Sequence, residues 1–175
     1  MMQNVEFKAE LRDPPLARAA LARLGATLAA TLRQVDTYYR VPDGRLKKRE
    51  TEGEPAEYIF YHRANLLRPK LSHFTIYTES EARKRFGLMP LPVWLTISKS
   101  REVWMYQNAR VHIDEVEHLG SYLEVEVLVT PDRHVGMCHI LASDIRQRIN
   151  PTLGENIAVS YADLMALELE TAEER

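Results

Sequence analysis

From Met2 to Arg12 the chain alternates, with Val5, Phe7, Ala9 and Leu11 set against Asn4, Glu6, Lys8 and Glu10. A period of two predicts a strand with one apolar and one charged face. Asp13-Pro14-Pro15 then opens a helix whose buried stripe is Leu16, Ala19, Ala20, Leu21 and Leu24, and Gly25 ends it. Thr31–Val41 and Gly44–Thr51 read as two strands joined at Pro42-Asp43-Gly44, since Asp-Gly between such runs is a hairpin signal. Ala56–Arg63 and Leu71–Tyr77 continue the strands, and Glu79–Phe86 is a short helix closed by Gly87. Val93–Tyr106, Arg110–Val116 and Tyr122–Val129 follow, with turns at Gln107-Asn108 and His118–Ser121. Val135–Ile149 and Tyr161–Glu170 carry helical periods. The expectation is an α+β chain of about eight antiparallel strands with flanking helices. Such strands tend to close into a barrel, because closure removes exposed edges. No repeat, low-complexity run or Gly/Ser linker marks a boundary, so residues 1–175 are expected to form one domain.

Side chains two apart on a strand share a face. Glu6 pairs in this way with Lys8, Arg45 with Lys47 and Arg49, Lys99 with Arg101, Arg110 with His112 and Asp114, and Glu124 with Glu126. Strand by strand, this alternation is the ordinary mark of a sheet packed on its apolar side and wet on the other. Two features point to a charged interior instead. Arg45, Lys47 and Arg49 stack cations that repel unless an anion sits among them. Glu124 and Glu126 place paired carboxylates where a hard divalent cation would find oxygen ligands. A cation-rich wall facing an acid pair suits a metal–polyphosphate ligand, and amphipathic helices would then cover the apolar outer face.

Composition narrows the setting. The chain is 45% hydrophobic and 27% charged, which is ordinary for a globular protein and argues against disorder. A net charge of −2 gives no general attraction to nucleic acid or to a membrane, so an anion site must be a local concentration of Lys and Arg. The single cysteine, Cys138, rules out an internal disulfide and is consistent with a reducing cytoplasm. No apolar run approaches the roughly 20 residues that span a bilayer, and Met1–Lys8 is too polar for a signal peptide.

Four segments, in order, resemble the CYTH superfamily, also called triphosphate tunnel metalloenzymes. Asn4-Val5-Glu6-Phe7-Lys8 is similar to its opening E-x-E-x-K strand. Gln34–Tyr39 followed by Gly44–Glu50 resembles its Q-x-D-T-Y-F…GRLK-x-RE stretch. Arg110–Glu117 with Leu119–Glu126 resembles R-x-H-x-D-x-V…LG-x-F-x-E-x-E, and Ser160–Leu164 resembles the closing S-Y-x-D-L. The segments 64–93 and 130–158 match poorly.

The resemblance implies an eight-stranded antiparallel tunnel with charged residues pointing inward. It implies Mg²⁺ or Mn²⁺ held by Glu6, Glu124 and Glu126, with Asp114 close by. It implies phosphate contacts from Lys8, Arg45, Lys47, Arg49, Arg63, Lys99, Arg101 and Arg110. Asp114, Lys8 and Arg49 form the expected catalytic set, Asp114 either activating water or forming a structural salt bridge to Arg110. The family's first glutamate is Asn4 here, which keeps a carbonyl oxygen but no charge.

Hydrolysis of a triphosphate-containing small molecule such as ATP, thiamine triphosphate or tripolyphosphate is the leading expectation. The alternatives are a class IV adenylyl cyclase releasing cyclic AMP and pyrophosphate, and a non-catalytic polyphosphate or nucleotide binder. A homodimer is left open. Trp94, Trp104 and Cys138 read as packing residues, and the six histidines show no close metal spacing. His112 is expected as a hydrogen-bonded interior residue. Tyr161 either reaches the tunnel mouth or packs against the barrel.

Overall fold

The computed structural model describes all residues except 64, 65, 67 and 88–90, and gives only the backbone of Arg63. The order is β1 (Met2–Leu11), α1 (Pro14–Leu24), β2 (Thr27–Tyr39), β3 (Arg45–Thr51), β4 (Glu57–Arg63), β5 (Lys70–Tyr77), α2 (Glu79–Phe86) and β6 (Val93–Tyr106). Then follow β7 (Ala109–Val116), β8 (Gly120–Leu128), α3 (Val135–Ile149), a 3-10 turn, β9 (Leu153–Ile157) and α4 (Tyr161–Glu173).

The strands run β5-β4-β3-β2-β6-β7-β8-β1, each antiparallel to its neighbour, and β1 also pairs with β5. That last pairing closes an eight-stranded barrel. It spans only Met2–Glu6 of β1, which leaves the rest of that edge open. The short β9 fills it, pairing with Lys8–Leu11.

Alternation decides what lies on each side of the wall. Val5, Phe7 and Ala9 of β1, Val111 and Ile113 of β7, and Leu123, Val125 and Val127 of β8 are buried on the outside of the barrel. Ala17 and Leu21 of α1 pack on them, as do Cys138, Ala142, Ile145 and Ile149 of α3. Burying such a side chain stabilises by roughly 1.5–3 kcal/mol. The main apolar core therefore sits between barrel and helices, and the interior carries most of the buried charge, with Ile59, Phe74 and Ile76 forming an apolar part of its lining. A second cluster joins Tyr38, Ile97, Val116 and Tyr122 to Tyr161 and Ala162 of α4.

The helix starts follow from their caps. Asp13 accepts from Leu16 N at 3.0 Å, and Pro14 and Pro15 occupy the first turn. Reciprocal capping boxes open α2 (Thr78 with Glu81) and α4 (Ser160 with Asp163).

Most boundaries agree with the sequence reading to within three residues, and the larger departures have causes. β2 starts at Thr27, since residues before Thr31 pair with the end of β6 although Ala29-Ala30 breaks the alternation. The β2–β3 connection is longer than a three-residue turn. Its Gly44 has φ 69°, and a Cβ there would meet the Phe60 ring at 2.8 Å. β9 was not expected at all.

Candidate active site: a charged tunnel

Three buried carboxylates organise the tunnel interior. Asp36, on β2, is fully buried. Arg49 of β3 donates to both its oxygens at 2.9 and 2.8 Å, Lys99 of β6 lies at 3.1 Å and Lys47 of β3 at 3.5 Å. Cross-strand register explains the convergence, because Asp36 faces Arg49 directly and Gln34, two residues away, faces Lys99. Burial pushes the Asp36 carboxyl up, but Arg49, Lys99 and Lys47 outweigh it and hold the group well below the usual range.

Asp114, on β7, is also fully buried. It receives a two-pronged bond from Arg101 at 2.7 and 2.8 Å and the Tyr161 hydroxyl at 2.7 Å. Burial opposes its charge, and Arg101 outweighs burial, so it stays ionised far below its ordinary pKa. Burial first, then Asp114, raises Tyr161 well above its ordinary value and keeps its hydroxyl a donor. Tyr161 is held at the N-terminus of α4, where Asp163, two residues on, has two partners. Its Oδ2 caps Ser160 at 2.9 Å and its Oδ1 accepts from Arg45 at 3.0 Å.

Glu124, on β8, accepts from His112 Nδ1 at 3.1 Å and Arg101 at 3.4 Å, with Lys8 Nζ at 3.9 Å. Burial raises its pKa, and the His112 hydrogen bond with the charges of Lys8 and Arg101 pulls it well below the ordinary value. Glu126 goes the other way, raised by burial and then by the neighbouring charge of Glu124. Asn4 Nδ2 donates to Glu126 at 3.5 Å. A second carboxylate at position 4 would instead add to that repulsion.

These groups surround a cavity of about 170 Å³. Its lining includes the cations Lys8, Lys47, Arg49, Lys99, Arg101 and Arg110 and the acids Glu6, Glu57, Glu124 and Glu126. Burial, then the charge of Arg49, lowers Lys47 to about 8, and burial, then the charge of Arg101, holds Lys99 well below its ordinary value. Lys8 Nζ lies 4.0 Å from the centre of the Tyr161 ring and donates to Val159 O. A wider groove of about 810 Å³ lies open to solvent beside this tunnel. Glu50, Glu52, Glu115 and Glu117 line it against Arg33 and Lys99, so acids outnumber cations and a polyanion is less favoured there than in the tunnel.

The expected site residues therefore divide. Nine lie along the cavity: Glu6, Lys8, Lys47, Arg49, Lys99, Arg101, Arg110, Glu124 and Glu126. Arg45 turns away to Asp163 and lies 5.4 Å from the Trp94 ring. Asp114 is on the inner face but does not line the cavity; it is fully buried against Arg101 and Tyr161 rather than bonded to Arg110. The Arg63 side chain lies outside the described residues. Sequence reasoning passed over Asp36, whose signal was a lone acid on the strand face beside the Arg45–Arg49 cation row. It also passed over Lys70, buried and donating to Ala158 O at 2.7 Å.

A divalent ion fits this donor set. Ligand atoms of His112, Glu124 and Glu126 all lie within 4.8 Å of one another, and Glu6 is the cross-strand partner of Glu126. Glu126, pushed toward protonation by burial and by the charge of Glu124, would be relieved by a cation.

Among solved structures, the PH1012 protein of Pyrococcus horikoshii OT3 is 19% identical with a TM-score of 0.69, the match covering 92% of this chain and 98% of that one. A candidate adenylate cyclase of Vibrio parahaemolyticus is 13% identical with a TM-score of 0.70, over 93% and 97% of the two chains. A candidate adenylyl cyclase of Hippeastrum, described as having a dominant triphosphatase activity, is 12% identical with a TM-score of 0.62, over 96% of each. At these identities the likeness is one of fold. Comparison with curated proteins found no match. The CYTH domain family matches residues 2–147, and with the four ordered motifs and the closed, charge-lined barrel in place, the chain belongs to that family.

Proposed function

We propose that this protein is a divalent-metal-dependent phosphohydrolase that cleaves a triphosphate inside the barrel. The observation that carries the reading is the cavity's two-sided charge, with Lys8, Lys47, Arg49, Lys99, Arg101 and Arg110 sharing one space with the Glu6, Glu124 and Glu126 carboxylates. Arg49 and Arg101 are each held by a buried aspartate through two of their nitrogens. A guanidinium has five N–H donors, so each keeps others for phosphate oxygens, in a fork already fixed in direction. Such fixed cations hold a phosphate chain in line and meet charge as it develops, without reorganising. A divalent ion held by Glu6, Glu124 and Glu126 would neutralise phosphate charge and acidify a bound water.

Both Asp114 oxygens already accept strong hydrogen bonds. We therefore assign it to orienting Arg101 rather than to taking a proton from water.

Cavity size favours hydrolysis over cyclisation. Sites for drug-sized ligands run to roughly 300–1,000 Å³, against about 170 Å³ here. The tunnel suits a phosphate chain, and a nucleoside would remain at its mouth.

The test is incubation with ATP, thiamine triphosphate and tripolyphosphate, each with Mg²⁺ or Mn²⁺, and separation of the products. Orthophosphate is expected, and the paired Glu124→Ala, Glu126→Ala variant should stay folded and release none. Cyclic AMP with pyrophosphate would replace the hydrolase by a cyclase. Tight binding without any product would make the protein a polyphosphate binder.

A further inference from the structure

Resting on the reading that the tunnel binds a divalent ion, we infer that His112 is a nitrogen ligand of that ion beside Glu124 and Glu126. A mixed nitrogen and oxygen site of this kind selects a transition ion such as Mn²⁺ or Co²⁺ over Mg²⁺.

The geometry begins with register. His112 of β7 and Glu124 of β8 are direct cross-strand partners, and Glu126 is two residues further on the same face. Side chains opposite each other on adjacent strands are ~4.5–5.5 Å apart at Cβ, so the imidazole and the two carboxylates must converge. They do so within 4.8 Å, counted between potential ligand atoms. His112 is only 4% exposed, so its ring is directed by packing rather than by solvent. Its Nδ1 meets Glu124 Oε1 at 3.1 Å, which fixes the ring and holds a nitrogen beside that carboxylate. Arg101 and Lys8 also approach Glu124, at 3.4 and 3.9 Å, and a cation entering the site competes with both.

The choice of ion follows from the donor set. Carboxylate oxygens alone suit Mg²⁺, Ca²⁺ and Mn²⁺, whereas imidazole favours later first-row ions. Position 4 contributes to this. Asn4 donates its amide to Glu126 instead of adding a carboxylate, so the site has less hard, anionic oxygen while keeping an imidazole. Mg²⁺, which holds its water tightly and prefers an octahedron of oxygens, has least to gain from such a site.

The full chain, freed of metal and loaded with one equivalent of Mn²⁺, tests this by pulsed electron spin-echo modulation. Directly bound imidazole imprints a ¹⁴N modulation, which should change to the ¹⁵N pattern after ¹⁵N-histidine labelling. It should vanish in His112→Gln, which keeps a hydrogen-bond donor near Glu124, and His112→Asn serves if that variant does not fold. Calorimetric titration should show Mn²⁺ and Co²⁺ affinity falling in the variant by roughly tenfold or more, the scale on which even groups behind a metal ligand act. Mg²⁺ affinity should change less. Mn²⁺ bound without ¹⁴N modulation, or with modulation unchanged in the variant, overturns the inference and leaves a carboxylate-only site. Failure of the wild-type protein to bind any divalent ion overturns the metal-dependent reading itself.

Discussion

Asp36 shows what a single buried charge does in this interior. It is the shared counter-ion of Arg49, Lys99 and Lys47. Asp36→Asn would leave those cations without compensation, and breaking a buried pair in this way costs about 3–5 kcal/mol. Urea denaturation at neutral pH should report a loss of that size. Tripolyphosphate should restore stability more in the variant than in wild type, since it supplies the missing negative charge. The sign with pH follows from the depressed carboxyl. Asp36 contributes fully above the ordinary carboxylate range and loses that contribution only as pH falls through its lower folded value, so the two proteins should converge in strong acid. Lys47 titrates in reach of an ordinary assay. With its ammonium lowered to about 8, tripolyphosphate affinity should fall as pH rises past that point, approaching roughly tenfold per unit. Lys47→Arg should remove this alkaline fall, and an unchanged profile would show that Lys47 does not contact the ligand. At this scale the paired residues were legible, because Glu124 with Glu126 and the Arg45–Arg49 row each repeat with period two. Asp36 was not, because one acid on a strand has no pattern of its own and gains meaning only from the strand beside it.

Among the elements, the helices and long strands follow from pattern and caps, and the exceptions have physical causes. β9 is five residues, Leu-Gly-Glu-Asn-Ile, with no alternation to find. It exists because β5 leaves β1 after Glu6 and an unpaired edge remains. Likewise Arg45 shares a strand face with Lys47 and Arg49 but lies near the barrel end, where α4 offers Asp163 and draws it out of the cavity. Face-sharing gives direction but not depth along the tunnel. α3 offers a test of the division of labour between layers. Ile145 is fully buried in the apolar layer outside the barrel. Ile145→Ala should cost ~2–5 kcal/mol in chemical denaturation. Below the unfolding transition it should leave tripolyphosphate affinity within about twofold, because Ile145 packs on the outer face of the barrel, opposite the side chains that line the cavity.

At the scale of the molecule, the closed barrel was legible because successive strands are hairpin-linked and each carries one apolar face for helices to cover. Its interior balances charges at close quarters, so a polyanion that binds there adds counter-charge to Lys47, Arg49, Lys99 and Arg101. Thermal unfolding should therefore shift upward with tripolyphosphate and scarcely at all with an equal ionic strength of chloride. An equal shift with chloride would mean that screening alone is responsible.

The apolar outside and charged inside of this barrel are two halves of one count. On a strand, odd and even positions belong to different worlds, so the protein's chemistry is written in parity. A single residue inserted into β7 or β8 would carry Val111, Ile113, Leu123 and Val125 into the tunnel and turn His112, Glu124 and Glu126 out among the helices. Two residues inserted together would restore the faces and shift only the heights. Length changes during divergence should therefore collect in the turns or come in pairs, and a strand-by-strand insertion scan would read the tunnel's lining directly from which lengths survive.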